Sequence, residues 1–326
     1  MTLPDQPAAD LVPLAQAAEA VGFDYVWLFD SPLMDRDPYP LLAAIALGTT
    51  RVRFGTCVTN PSSRDPVVTA SALATLAEMS HGRVDLGIGR GDSALRLVGR
   101  GPASLAETAA ALLRIRELVE GRTIDADNGR LDLSYATGAR LPVWLAGYGP
   151  RTIALAARIA DGIVIQVADP ELVAWFVAQL RAAEVEADRA RGSVAVMVAA
   201  AALVGDDAQA IERVRWFPAL VANHVADLLR RQPAGSLPAA LTEYLGRRPS
   251  DGYIPQRVGD YSFVEDDVVR RMTIVGSIEA HRARIADLVA SGADQVNLYL
   301  ERGEEARTIA GYGADMIPGV GARALE

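Results

Sequence analysis

The chain has no lysine, one cysteine and three histidines in 326 residues, so its 32 basic residues are all arginine. Each scarcity excludes something. A single cysteine, Cys57, rules out an internal disulfide framework and a cysteine-built metal site. His81, His224 and His281 lie far apart, which argues against a histidine-rich metal centre. No apolar run approaches about 18 residues free of charge, so no transmembrane helix is expected. The opening MTLPDQPAAD lacks the basic and apolar regions of a secretory signal, and a cytoplasmic location is expected. No basic stripe interleaved with aromatics points to nucleic acid. The net charge of −9 serves solubility, and the richness in arginine and alanine reads as a GC-rich coding bias.

What the chain does have is a rhythm. Ala8 to Val21 reads as an amphipathic helix ended by Gly22, and Tyr25 to Phe29 as a buried strand. Tyr39 to Leu47 is a short helix, Val52 to Thr59 a strand, and Pro66 to Met79 a helix stopped at His81-Gly82. Arg83 to Gly89 is a strand. Ser104 to Glu120 is a long helix that Ser104 and Glu107 open with a capping box. Thr123 to Ser134 has the turn residues of a small hairpin. Strands follow at 143–146, 162–167 and 194–204, with helices at 151–160 and 171–190 between them. The rhythm breaks over 206–275 and resumes with a helix at 278–291, a strand at 295–300 and a last helix at 304–316.

Strand-then-helix alternation with short loops implies parallel strands joined by right-handed crossovers. Seven strands are plain, and only Met1-Thr2-Leu3 remains for an eighth before the first helix. The expected fold is a single-domain (β/α)8 TIM barrel with a very short or missing first strand and an insertion, 206–275, after strand seven. That insertion reads as a lid or substrate wall. A doubly wound sheet is the alternative, but no G-x-G-x-x-G follows Met1-Thr2-Leu3.

In a barrel the site lies at the C-terminal strand ends. Those ends carry Asp30-Ser31, then Cys57-Val58-Thr59-Asn60, then Arg90-Gly91-Asp92, then Ala146-Gly147-Tyr148-Gly149-Pro150 with Arg151, and then Gln166. Each also has a plain reading: Asp30 as a helix cap, Asp92 as a turn former, Gly149-Pro150 as a loop. Small residues closing the strand VRFGTCVTNP leave room for something flat against the backbone, or simply enter a loop. Pro150 and Arg151 at a helix start suit an anion, or mark an ordinary helix start.

The motifs GFDYVWLFDS, GTCVTNPSSRDP, GRVDLGIGRGDSA and WLAGYGPRTIALAARIADG, in that order, resemble the luciferase-like monooxygenase superfamily. Within it the chain is most similar to the coenzyme F420 (deazaflavin)-dependent oxidoreductases, including the methylenetetrahydromethanopterin reductase-like branch. The resemblance runs from about Leu11 to the last helix. It implies hydride transfer between the deazaflavin and a small organic substrate, with FMN-dependent monooxygenation and non-catalytic cofactor binding as rivals. It also implies a cis peptide at Cys57–Val58 in a bulge behind the ring. Asp30, Thr59 and Asn60 would lie beside the ring, Asp92 near the reacting carbon, and Gly147 to Arg151 at a phosphate-bearing tail. A homodimer is the default for such relatives.

Asp92 and Asp30 are the candidate catalytic residues, with Asp30 read as orienting groups rather than transferring protons. A carboxyl near a flat ring in a dry pocket tends toward a raised pKa, which suits Asp92 as an acid. Ser31 stands where some deazaflavin sugar-phosphate dehydrogenases have histidine, which weighs against a sugar phosphate as substrate. Cys57, with no evident histidine partner, reads as a small bulge residue rather than a nucleophile. Arg215, Trp216 and His224 in the insertion either face substrate or pack and solvate their helix. His81 is expected at a helix end and His281 on a helix surface.

Overall fold

Three helices of this chain begin with the same dipeptide, and the physics of that dipeptide fixes where they start. Asp37-Pro38 opens α2 (Pro38–Gly48), Asp65-Pro66 opens α3 (Pro66–Ser80), and Asp169-Pro170 opens α7 (Pro170–Glu186). The aspartate carboxylates accept the N–H of Tyr39, Val67 and Leu172, and proline fills the first helical position, where its missing N–H is no loss. In the computed structural model the described residues are 1–126, 129–205, 207–231, 239 and 261–317, with 224–231 and 315 described as backbone only.

The remaining elements follow the expected order. They are β1 (Thr2–Leu3), α1 (Ala8–Val21), β2 (Tyr25–Leu28), β3 (Arg53–Thr59), β4 (Val84–Ile88), α4 (Asp92–Leu97), α5 (Leu105–Val119), β5 (Ile124–Ala126), β6 (Gly129–Leu131), β7 (Val143–Ala146), α6 (Pro150–Ile159) and β8 (Gly162–Ile165). After α7 come β9 (Ala195–Val204), α8 (Ala208–Val214), α9 (Trp216–Arg231), α10 (Asp266–Met272), β10 (Ile274–Gly276), α11 (Ile278–Ala290), β11 (Gln295–Leu300) and α12 (Glu305–Asp315). The short first strand is real: Thr2 and Leu3 pair in parallel with Trp27 and Leu28. The Ser104–Glu107 capping box is closed in both directions.

The described chain falls into two compact units. The first holds Met1–Ala146 with Ile159–Gly162 and the chain from Glu305. Its main strands run β1-β2-β3-β4-β7, all parallel, β5 and β6 form a separate antiparallel pair, and its last helix α12 packs on α1. Strands β2, β3 and β4 are almost wholly buried, as expected for strands covered on both faces. The backbones of β3 and β4 come so close that a Cβ on Gly55 would stand 2.1 Å from the Asp85 carbonyl oxygen. One on Gly87 would stand 2.0 Å from that of Thr56.

The second unit, Gly147–Arg158 with Ile163–Glu304, is built on β9. Strand β8 pairs with it, and β10 and β11 run parallel to it, Ile274 opposite Ala202 and Tyr299 opposite Ala201. Strand β10 is an addition to the expected pattern. Arg215 ties the start of α9 to α10 through Asp266 (2.6 Å) and the Val264 carbonyl. One expectation fails here. His281 is not on a helix surface: it is fully buried on α11, its Nε2 3.1 Å from the Leu203 carbonyl oxygen. His81 does end a helix, in the left-handed conformation at the C-cap of α3.

Candidate functional site

The C-terminal ends of β2, β3 and β4 in the first unit bring together several of the expected residues. Asp30, two residues past β2, is only 6% exposed. Its Oδ2 accepts the Thr59 hydroxyl at 2.6 Å. Burial pushes the Asp30 carboxyl above the usual carboxylate range. The Thr59 hydroxyl and the Arg64 charge oppose that rise, and the Asp37 charge adds to it. Tyr39, at the start of α2, points its hydroxyl toward Thr59 Oγ1 at 3.5 Å, and burial followed by the Asp30 charge pushes that phenol up to about 12.

Strand β3 slips register against β4 between Thr56 and Thr59, and the Cys57–Val58 peptide within that bulge is cis, as the resemblance implied. Cys57 is a buried free thiol. Val58 leans on the next strand: a Cβ on Gly87 or Gly89 would meet its methyl groups at 3.3 and 3.0 Å, and one on Gly89 would meet the Ala146 Cβ at 3.5 Å. Asn60 is 2% exposed. Its Oδ1 accepts the N–H of Ser62 (3.0 Å) and Ser63 (2.8 Å), which fixes the amide orientation. Asn60 Nδ2 is then a buried donor with no hydrogen-bond partner among the described residues. Gly91 covers it. A Cβ there would stand 2.6 Å from Asn60 Cγ, and the Gly91 φ of 77° already favours glycine.

The other first-unit candidates are differently engaged. Asp92 opens the short helix α4 and its Oδ1 accepts Arg96 Nε at 2.7 Å, with the carboxylate side chain 27% exposed. It is a partly solvated ion-pair member, and Asp30 is the more deeply buried acid. Arg90 donates Nε to the Ala103 carbonyl at 2.6 Å. The Ser31 carbonyl takes the N–H of Met34 and Asp35, shaping the loop into α2.

Within the second unit, Gly147 has a φ of 157°, and a Cβ on it would stand 2.6 Å from Thr152 Cγ2, so the turn into α6 is close-packed. Gly149 offers its carbonyl to Thr152 and Ile153 N–H, Pro150 is the first helical residue and Arg151 is exposed. Tyr148 donates its hydroxyl to Gln166 Oε1 (3.0 Å) and accepts the Gln166 N–H (3.1 Å), while Gln166 Nε2 donates to the Tyr299 hydroxyl (3.0 Å). Gln166 is thus a brace between two tyrosines. Trp216 donates its indole N–H to Glu301 at 3.0 Å. The His224 side chain lies outside the described residues, as do 232–238 and 240–260 of the expected insertion.

Tyr39, Arg64, Tyr299 and Glu301 were not singled out from sequence. Their spacing carries no signal, because each meets its partner across at least 18 residues of chain.

The model of the luciferase-like monooxygenase family matches residues 1–295. The chain belongs to that family. A 5,10-methylenetetrahydromethanopterin reductase of Methanolobus tindarius is 28% identical over 302 residues, covering 90% of this chain and 91% of that protein. Among solved structures, the coenzyme F420-dependent tetrahydromethanopterin reductase of Methanopyrus kandleri superposes with a TM-score of 0.76 at 21% identity, covering 98% of this chain and 97% of that one. An F420-dependent secondary alcohol dehydrogenase in complex with an F420–acetone adduct gives 0.75 at 20% identity, covering 98% of both chains. The fold is the expected (β/α)8 barrel, with β1, β2, β3, β4, β7, β8, β9 and β11 as its eight strands. The resemblance to the deazaflavin branch read from the four motifs holds.

Proposed function

We propose that this chain is a coenzyme F420-dependent oxidoreductase that transfers a hydride between the deazaflavin and a small organic substrate at the C-terminal mouth of its barrel. One observation carries the reading. Adjacent strand ends present a buried acid, Asp30, with a single hydroxyl partner among the described residues, and a buried amide donor, Asn60 Nδ2, with none among them. Buried polar groups are ordinarily satisfied, so an orphan donor beside an under-partnered acid fits a polar ligand. The pyrimidinedione edge of a deazaflavin offers the carbonyl acceptor that Asn60 Nδ2 lacks. The names of the two solved structures above carry the same cofactor.

When bound, the deazaflavin supplies a carbon that gives or takes a hydride. The chain's own residues do the rest. Cys57, Val58 and Thr59 back the ring, with Gly91, Arg90, Ser31 and Ala146 around them. Asp30, whose neutral form burial favours, holds the proton that accompanies the hydride. Asp92, kept close to Arg96, acts as a fixed charge near the reacting atoms. Gly147, Tyr148, Gly149, Pro150 and Arg151 hold the phosphate-bearing tail at the N-terminus of α6, and Gln166 braces Tyr148 there. Trp216, at the start of α9, is the substrate-facing candidate of the second unit. A homodimer in the cytoplasm accompanies this reading. No described helix is long and apolar enough to cross a membrane.

The deciding experiment offers the purified protein F420 and FMN separately and follows binding by fluorescence quenching. Tighter binding of FMN overturns the cofactor assignment. Asn60→Ala should weaken F420 binding about tenfold, the worth of one hydrogen bond to a buried donor. Turnover unchanged by Asp92→Asn would remove Asp92 from the chemistry.

A further inference from the structure

Asp30 is reached from the protein surface by an unbroken series of contacts, all within the first unit. At the rim, Asp37 Oδ2 accepts Arg64 Nη2 at 2.6 Å. The Arg64 guanidinium carbon lies 4.4 Å from the centre of the Tyr39 ring. Asp37 holds the same tyrosine a second time, its Oδ1 accepting the Tyr39 N–H at 3.0 Å. The Tyr39 hydroxyl faces Thr59 Oγ1, and that hydroxyl spends its one hydrogen on Asp30 Oδ2. Asp30, Asp37 and Arg64 also line one open cleft of about 290 Å³.

We propose that Thr59, Tyr39, Arg64 and Asp37 are positioning residues for Asp30, and that the Arg64–Asp37 ion pair at the rim sets the protonation of the buried acid. The argument is one of direction. A hydroxyl has one hydrogen to give. With Tyr39 offering its own to Thr59, the Thr59 hydrogen turns to Asp30 Oδ2. A proton taken up by Asp30 is thereby confined to Oδ1, which has no hydrogen-bond partner among the described residues. The two rim charges act on that proton in opposite senses, Arg64 favouring its release and Asp37 its retention. The other charged groups on the cleft are Asp35, and Arg36, which Asp5 neutralises at 2.7 Å. Thr69 on α3 is the remaining polar neighbour of Tyr39. A substrate entering past the rim and disturbing the Arg64–Asp37 pair would change how readily Asp30 gives up its proton.

This inference rests on Asp30 as the proton-handling group, and its test is arranged to fail separately from the cofactor assignment. The full-length protein, labelled with 13C at the aspartate carboxyl carbons, is titrated by NMR without cofactor. The Asp30 resonance is assigned by its loss in Asp30→Asn. The ion pair is then broken from each side, with Arg64→Met and with Asp37→Asn, which keeps a cap for α2. A merely structural role predicts the same outcome for both, because both break the same contact. The proposal predicts opposite shifts: the Asp30 midpoint moves to higher pH in Arg64→Met and to lower pH in Asp37→Asn. Thr59→Val moves it to higher pH and Thr59→Ser restores it. Equal or absent shifts at the rim, or a Thr59→Val midpoint that stays put, overturn the proposal. F420 binding followed by fluorescence in the same variants reports on the cofactor assignment alone. Should Arg64→Met fail to fold, Asp37→Asn with the Thr59 pair still decides.

Discussion

His281 gives the chain an acid-sensitive point that can be measured without any ligand. The imidazole is fully buried on α11, with Nε2 3.1 Å from the Leu203 carbonyl oxygen. Burial lowers its pKa from 6.5 to about 4, and the hydrogen bond to Leu203 only partly opposes that. The folded protein therefore takes up the proton less readily than the unfolded chain. The stability this residue contributes is complete above the unfolded value of 6.5 and is lost as pH falls toward about 4. A difference of about 2.5 pH units, at about 1.4 kcal/mol each, sets a ceiling of roughly 3 kcal/mol, of which about 2 kcal/mol is gone by pH 5.

The perturbation is His281→Gln, which keeps an N–H donor for Leu203 and cannot titrate. Urea unfolding of both proteins at pH 8, 7, 6 and 5 gives the difference in stability, in which the other titrating groups cancel. That difference should move by about 2 kcal/mol against the wild type between pH 8 and pH 5. A difference constant to within about 0.5 kcal/mol over that range would refute the reasoning, since it would mean that the buried imidazole is protonated as easily as a solvated one.

Three further outcomes follow from particular contacts. Gly91→Ala should cost about 1–3 kcal/mol of stability and weaken F420 binding. It puts a Cβ 2.6 Å from Asn60 Cγ at a positive φ, and thermal melting with quenching titrations checks both effects. Asp30→Asn should abolish turnover yet raise the melting temperature at pH 8. With the folded pKa raised, the contribution of this acid to stability is present below its unfolded value and lost as pH rises, so the gain should vanish toward pH 3. Arg83 donates to the Ala46, Thr49, Val52 and Ser80 carbonyls and to the Thr49 hydroxyl. Arg83→Met should lose about 3 kcal/mol in urea unfolding, and Arg83→Lys should rescue little of it, because an ammonium cannot reproduce the fork.

The barrel was legible because its strands are buried on both faces and its helices announce their starts. Seven strands read from apolar runs are β2, β3, β4, β7, β8, β9 and β11, and the three residues left over for an eighth include β1. Strand β10 escaped because Ile274-Val275-Gly276 is too short to show a period, and α4 because Gly91-Asp92-Ser93 has the composition of a turn. His281 was misplaced by the charged residues around it. The signal was nonetheless present, since His281, Ile285 and Leu288 recur at helical spacing and form the buried stripe of α11. In the candidate site, the strand ends were correctly located, but the state of each side chain was not readable. Whether a carboxyl is largely buried like Asp30 or partly solvated like Asp92 depends on loops that the sequence does not place. Gln166 was read as a cofactor contact from its place at a strand end, but its two tyrosine partners were not readable because they come from separate strand ends.

Asp30 and Asn60 differ from the buried and partly buried acids elsewhere in the same unit. Asp85, fully buried in β4, meets Arg53 and the Trp144 indole N–H. Asp161 takes both Arg116 and Arg140 and the Val143 N–H. Glu19 receives three consecutive backbone N–H groups, from Thr50, Arg51 and Val52. They outweigh partial burial and hold its carboxyl below the usual range. This chain thus supplies structural acids with two or more donors. Of the two orphaned buried atoms among the described residues, Trp27 Nε1 lies within the Tyr25–Trp27–Trp144 ring cluster and Asn60 Nδ2 at a strand end. Two N–H groups held on Asn60 Oδ1, from Ser62 and Ser63, and the close approach of Gly91 to Asn60 Cγ keep this amide in its orientation. A donor left unsatisfied in so rigid a place, one strand from an acid left with a single hydroxyl, is a pair of defects that folding alone would remove and that a bound ligand would complete.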